Sequence, residues 1–328
     1  MTDAPRLALV RRIALVAAFI VMSAGAPARG GDFSAKLDGR WDYAKPEVSE
    51  ARFREALGQY PANSREALEI ATQVARAQSL QRRFDAAHAT LDRIEPELER
   101  VDVRVRIRYL LERGRTHNSA GAPLKAVPLF RQAAEVAARA ARDGDAFYEI
   151  DALHMLGIAA PASERLDWNL KALGAADNAR DPRARGWRGS LYHNVGWTYF
   201  ERGDHGTALD YWQKALALRE ATGDAQRLKV ARWTVARGYR ALGRLDDAER
   251  MQRELAAENQ KSGEEDGYVY EELAEIALAR GDRAAAAPWA AKAFALLRED
   301  AWLAATEPVR LKRLAELGSS PPTPAAKP

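Results

Sequence analysis

The chain has 328 residues and carries 50 Lys and Arg against 46 Asp and Glu, a formal net charge of +4 at pH 7. A balance that even, with no basic block of five or six residues, gives no support to a nucleic-acid binder. Cysteine is absent, which excludes a disulfide framework, a thiolate metal site, a cysteine nucleophile and a lipid-anchor cysteine.

Alanine and arginine abound, β-branched residues are sparse and no alternating apolar run stands out. That pattern favours an all-α fold. At the N-terminus, Arg6, Arg11 and Arg12 precede the apolar run Ile13 to Met22, which ends in SAGAPA. This is the layout of a secretory signal, with Ala26-Pro27-Ala28 as the small-residue site and cleavage expected after Ala28. The run falls short of the ~20 residues that span a bilayer. The expectation is a periplasmic or secreted protein with no stable membrane span once residues 1–28 are removed.

Residues 29–45, rich in Gly and Asp, read as a linker. Pro46 opens a helical stretch with Val48, Phe53 and Leu57 on its apolar side, closed at Tyr60-Pro61. A first helical hairpin follows, with Val74 and Ala75 on its first helix (helix A) and Arg82 to Leu91 forming the turn and second helix (helix B), Ala87 at the close-packing position. The next has Gly114 on helix A, Gly121 at the turn, and Ala126, Phe130 and Ala133 on helix B. The third pairs Leu156-Gly157 with Leu166 to Leu173, and Pro161 stops its helix A early.

The fourth hairpin, Tyr192 to Leu216, is the best formed. Gly196, Tyr199, Gly203, Ala208, Trp212 and Ala215 fall where two helices approach closely around a tight turn at Gly203-Asp204. The fifth runs through Val235, Tyr239, Gly243, Ala248 and Leu255, and the sixth through Leu273-Ala274, Gly281-Asp282, Ala286, Ala290 and Ala293. A last helix begins near Pro308, with Leu311, Leu314 and Leu317 as its stripe and Gly318 as its stop. Residues 319–328, with four prolines, read as a disordered tail.

This spacing of small and aromatic residues resembles the tetratricopeptide repeat, and GYVYEEL at Gly267 to Leu273 with the Trp-Asp at Trp41 adds to a likeness with bacterial members. The resemblance covers roughly residues 65–297. Measured on Ala133, Ala172, Ala215, Leu255 and Ala293, the period is 39, 43, 40 and 38 residues, against about 34 for the family. The excess implies an extra helical turn in each repeat or longer loops between them. A three-helix repeat is the rival, and the Gly-x-x-Asp-x-Ala turn at Gly243 to Ala248 argues against it. The implied fold is all-α: a right-handed α-solenoid of about six hairpins over residues 46–318, closed by a C-terminal capping helix.

No phosphate loop, paired metal-binding histidines, nucleophile elbow or calcium loop is present. The implied function is therefore a non-catalytic scaffold or adaptor, without cofactor or metal, holding a peptide segment or partner protein in the groove that helix A lines. The resemblance assigns to that groove Arg76, Arg108, Arg115, Asn118, Asp151, His154, Ser190, His193, Trp197, Phe200, Trp233, Arg237, Arg240, Tyr268, Glu271 and Glu275. Arginine mixed with aromatics suits a protein-interaction surface. Trp197 and Trp233 fit the packing between repeats equally well, whereas Tyr192, Tyr199, Trp212, Tyr239 and Tyr270 read as packing. Two alternatives are a ligand- or peptide-sensing regulatory module and an enzyme using Asp151, His154 and His193.

Overall fold

The computed structural model describes residues 33–140 and 146–319. The expected signal peptide, its cleavage site and residues 320–328 of the expected tail lie outside these. Among the described residues there are helices and no strands. They divide into two compact units, residues 33–195 and 196–319.

In the first unit, α1 (Phe33–Asp38) and α2 (Pro46–Leu57) precede three hairpins: α3 (Arg65–Leu80) with α4 (Phe84–Asp92), α5 (Val103–Ser119) with α6 (Pro123–Arg139), and α7 (Ala146–Ala159) with α8 (Ala162–Asn178). The short α9 (Pro182–Arg185) leads into α10 (Arg188–Glu201), within which the division falls. In the second unit α11 (His205–Thr222) packs on α12 (Ala225–Ala241), α12 on α13 (Leu245–Lys261), and α14 (Gly267–Ala279) on α15 (Arg283–Leu297). After α16 (Ala301–Thr306), α17 (Pro308–Gly318) closes on α15. As expected, Leu311, Leu314 and Leu317 are its buried stripe.

The long period resides in the helices. α5, α6, α8, α12 and α13 each have 17 residues and α11 has 18, while α11 and α12 are separated only by Gly223-Asp224. The alanines that the spacing placed at close-packing positions, including Ala87, Ala133, Ala172, Ala208 and Ala248, have no exposed surface. Opposite them, helix A supplies a residue without a side chain. A methyl group added to Gly114 would overlap the Phe130 ring, one on Gly157 the Asn169 amide, and one on Gly196 the Trp212 indole.

The hairpin turn is a two-residue device. Gly203 takes φ 83°, a left-handed conformation that costs an L side chain ~1–2 kcal/mol. Asp204 then caps helix B by accepting from the Thr207 amide at 3.0 Å. Gly281 and Asp282 repeat it, with φ 80° and a 2.8 Å bond from the Ala285 amide. The first hairpin has Arg82 at this point, at φ 61°, the one non-glycine residue with positive φ among those described.

One expectation is corrected. The stretch read as a linker is helical over Phe33–Asp38, and Leu37 joins Phe53, Ala56, Ile70 and Val74 in a buried cluster. Six residues are too few to show a helical period, so the segment's Gly and Asp content dominated the reading.

Candidate functional site

The helix-A face of the first unit is a lattice of buried ion pairs. Arg76 on α3 reaches Glu112 on α5 at 3.1 Å, Glu112 also takes Arg115 at 2.7 Å, and Arg115 pairs with Asp151 on α7. Beside this run, Arg108 on α5 meets Glu69 on α3 at 3.0 Å and Asp38 at 2.8 Å. Buried charges are tolerated only when paired and hydrogen-bonded, and these pairs tie successive helices A together. Burial disfavours the charge on Arg115, but Asp151 and Glu112 outweigh it and hold its pKa above the ordinary arginine value.

Residues 33–43 lie against this face. Ser34 hydrogen-bonds Glu69 and accepts from Arg104 at 3.1 Å. The Asp38 carboxylate accepts from Arg108 and, at 2.7 Å, from Arg183 of α9. Trp41 donates its indole N–H to Gln73 at 3.1 Å and stacks on Tyr43 with ring centres 4.7 Å apart. The Arg76 guanidinium lies over both rings at 5.7 and 5.8 Å. Burial pushes the Tyr43 hydroxyl up to about 12, against the opposing field of Arg76.

His154 is 3% exposed and meets Trp187 edge-on at 5.0 Å, its Nδ1 without a hydrogen-bond partner. Burial pushes its pKa down to about 4, so it stays neutral at neutral pH. Asp151, its candidate partner for acid–base work, is held by Arg115. Asn118 and His193 are half-buried.

In the second unit the expected residues sort differently. Trp197 and Trp233 are 2% and 8% exposed, so they belong to the packing rather than to an open groove wall. Trp197 meets Trp212 at 5.0 Å, and the Trp233 indole N–H donates to the Tyr268 carbonyl at 3.1 Å. Glu271 is likewise buried, paired with Arg310 of α17. Phe200, Arg237, Arg240 and Tyr268 keep partial exposure. Arg237 sits 5.5–5.7 Å from the centres of Trp197, Phe200 and Trp233, a cation–π nest, and pairs with Glu272 at 3.1 Å. Arg240 pairs with the same carboxylate. Burial raises the Glu272 pKa, yet the fields and hydrogen bonds of Arg240 and Arg237 overcome it and leave the net shift downward. Tyr268 lies under Arg310 at 5.3 Å, and burial pushes its hydroxyl up to about 12.

Sequence reasoning missed Asp38, Trp41, Tyr43, Arg183, Glu272 and Arg310. Glu272 lies one position beyond Glu271, the acid that the repeat register placed beside Arg237 and Arg240; Glu272 takes both arginines, whereas Glu271 turns to Arg310. Asp38 and Arg183 could not have been found, since their pairing joins distant parts of the chain. Among the described residues no group of three or more His, Cys, Asp or Glu is placed to hold a metal ion, and no helix is long and apolar enough to cross a membrane.

Residues 187–257 match the tetratricopeptide repeat family model. Among solved structures, a signal-transduction ATPase with a tetratricopeptide repeat sensor from Pyrococcus horikoshii superposes with TM-score 0.61 at 17% identity, over 95% of this chain and 46% of that one. This chain thus spans about half of that protein. The apo form of RapI gives TM-score 0.61 at 10% identity, over 87% of this chain and 85% of its own. NprR in complex with its cognate peptide NprX gives TM-score 0.53 at 15% identity, over 89% and 91%. At these identities the likeness concerns the fold. No curated protein matches the chain.

Proposed function

We propose that this chain, built of tetratricopeptide-type helical hairpins, is a non-catalytic adaptor that holds a peptide segment or partner protein against the helix-A faces of its repeats. The observation that carries this reading is the cluster around Arg237. Its guanidinium is held by three rings and one carboxylate, and its Nε is buried without a hydrogen-bond partner. An arginine already fixed in place loses little rotamer freedom on binding, and its fork offers donors that Glu272 alone does not use. A peptide carboxylate or carbonyl is the natural acceptor, with Phe200 as its half-exposed apolar neighbour and the half-exposed Tyr268, whose carbonyl accepts from Trp233, on a later helix A.

The likeness to NprR, whose structure holds a peptide, supports a peptide ligand. The Pyrococcus horikoshii sensor favours a second reading, in which the same face senses a ligand or signalling peptide. The basic-then-apolar layout of residues 1–28 supports a place for the protein in the cell envelope.

Affinity capture from envelope extract tests the proposal. Phe200→Ala with Tyr268→Ala, and separately Arg237→Ala with Arg240→Ala, should each cut partner recovery about tenfold or more. The aromatic pair leaves Glu272 paired, which separates loss of binding from loss of fold. Unchanged recovery by both variants, with circular dichroism intact, would overturn the assignment. Sequencing the mature N-terminus tests export.

A further inference from the structure

The first unit's helix-A face already carries a segment of chain. Asp38 places one carboxylate between the guanidiniums of Arg108 and Arg183 at 2.8 and 2.7 Å. Three positions on, Trp41 bonds Gln73 and, with Tyr43, lies under Arg76. One position before Asp38, Leu37 enters an apolar site beside Phe53, Ile70 and Val74. An apolar anchor, a carboxylate between two arginines and an aromatic under a third arginine are the contacts by which a peptide would be recognised.

The fit is incomplete. The Nε of Arg76 and the hydroxyl of Tyr148 are buried with no hydrogen-bond partner. Both residues line a cavity of about 10 Å³ between Asp38, Tyr43 and Arg108. A buried donor left unpaired is a standing cost. A ligand that brought one more acceptor to this cavity would hold the face better than residues 33–43 do.

We infer that residues 33–43 are a displaceable cis ligand, and that the partner which displaces them is a protein segment of the same chemistry: an apolar residue, then a carboxylate, then an aromatic three positions later. This rests on the helix-A faces being binding surfaces and adds the occupant of one of them. The cis segment lowers the apparent affinity for that partner by the fraction of time it covers the face.

The test uses the full chain and a fluorescein-labelled peptide of residues 33–45, FSAKLDGRWDYAK, read by fluorescence anisotropy. The Asp38→Ala chain should bind this peptide at least about tenfold more tightly than the unaltered chain. The peptide carrying alanine in place of Asp38 should bind neither. If the Asp38→Ala chain, with unchanged circular dichroism, binds no tighter than the unaltered chain, the inference fails. Should Asp38→Ala not fold, hydrogen exchange on the unaltered chain decides. Amides of residues 34–43 should open about 100-fold more often than those of α3, and equal opening overturns the inference. Failure here leaves capture through Phe200 and Arg237 untouched, so the two readings fall separately.

Discussion

The Trp212 indole of α11 lies against the bare Cα of Gly196 on α10, so that a methyl group there would overlap the ring. Trp212 has no exposed surface and therefore nowhere to retreat. Ala is a better helix former than Gly by about 1 kcal/mol, but overpacking a closed core costs about 1–3 kcal/mol. Gly196→Ala should thus lower stability by about 1 kcal/mol, and combining it with Trp212→Phe should recover part of the loss. Gly174→Ala on α8 is the control. Nothing lies within 4 Å of the methyl it would add, so it should stabilise by up to about 1 kcal/mol. Urea midpoints of the variants check both signs.

Arg82 stands at the turn position that glycine fills in later hairpins, and it is exposed at φ 61°. Arg82→Gly removes the left-handed strain and also a cation–π contact with Phe84 at 5.7 Å. Arg82→Ala removes the same contact but keeps the strain. The glycine variant should therefore be the more stable of the two by about 0.5–1 kcal/mol, after allowing for glycine's greater unfolded-state entropy. Thermal or urea unfolding of the pair measures this, and an alanine variant as stable as the glycine one would remove the turn argument.

The hairpins were legible because their contacts are local and periodic. Gly196, Ala208 and Trp212 meet within one hairpin, and their offsets record the meeting. The binding face was only half legible. Its positions follow from the repeat, but whether a side chain there is open or buried depends on what else covers it. Trp233 is closed over in part by Tyr268 of a later helix, Glu271 by Arg310 beyond the last hairpin, and Arg108 by Asp38 from a stretch with no visible period. Such coverings join residues tens of positions apart and leave no mark at helical spacing.

Glu272 is 1% exposed and is the common counter-ion of Arg237 and Arg240. Removing one partner of a buried pair leaves charge uncompensated and costs about 3 kcal/mol, so Glu272→Gln should lose stability of that order near neutral pH. The folded pKa of Glu272 lies below its ordinary value of 4.5. Its contribution is therefore complete above that value and is lost as pH falls through the folded pKa. The gap between Glu272→Gln and the unaltered chain should narrow steadily below pH 4.5. A gap that stayed constant into acid would mean that the carboxylate charge is not what Arg237 and Arg240 use.

His154 gives the opposite group type and a different pH window. Burial lowers its pKa from 6.5 to about 4, so the unfolded chain takes up this proton well before the folded chain does. The unfolded state binds more protons between those two values, and stability must fall as pH falls through that window. For a buried group shifted this far the effect is about 3 kcal/mol. His154→Phe keeps a ring edge-on to Trp187, 5.0 Å away in the present structure, and has nothing to titrate. It should flatten the stability profile between pH 6.5 and about 4 while leaving the neutral-pH fold intact. Urea unfolding in half-unit pH steps would show the slope of the unaltered chain and its loss in the variant. An unchanged slope in His154→Phe would place the titrating group elsewhere.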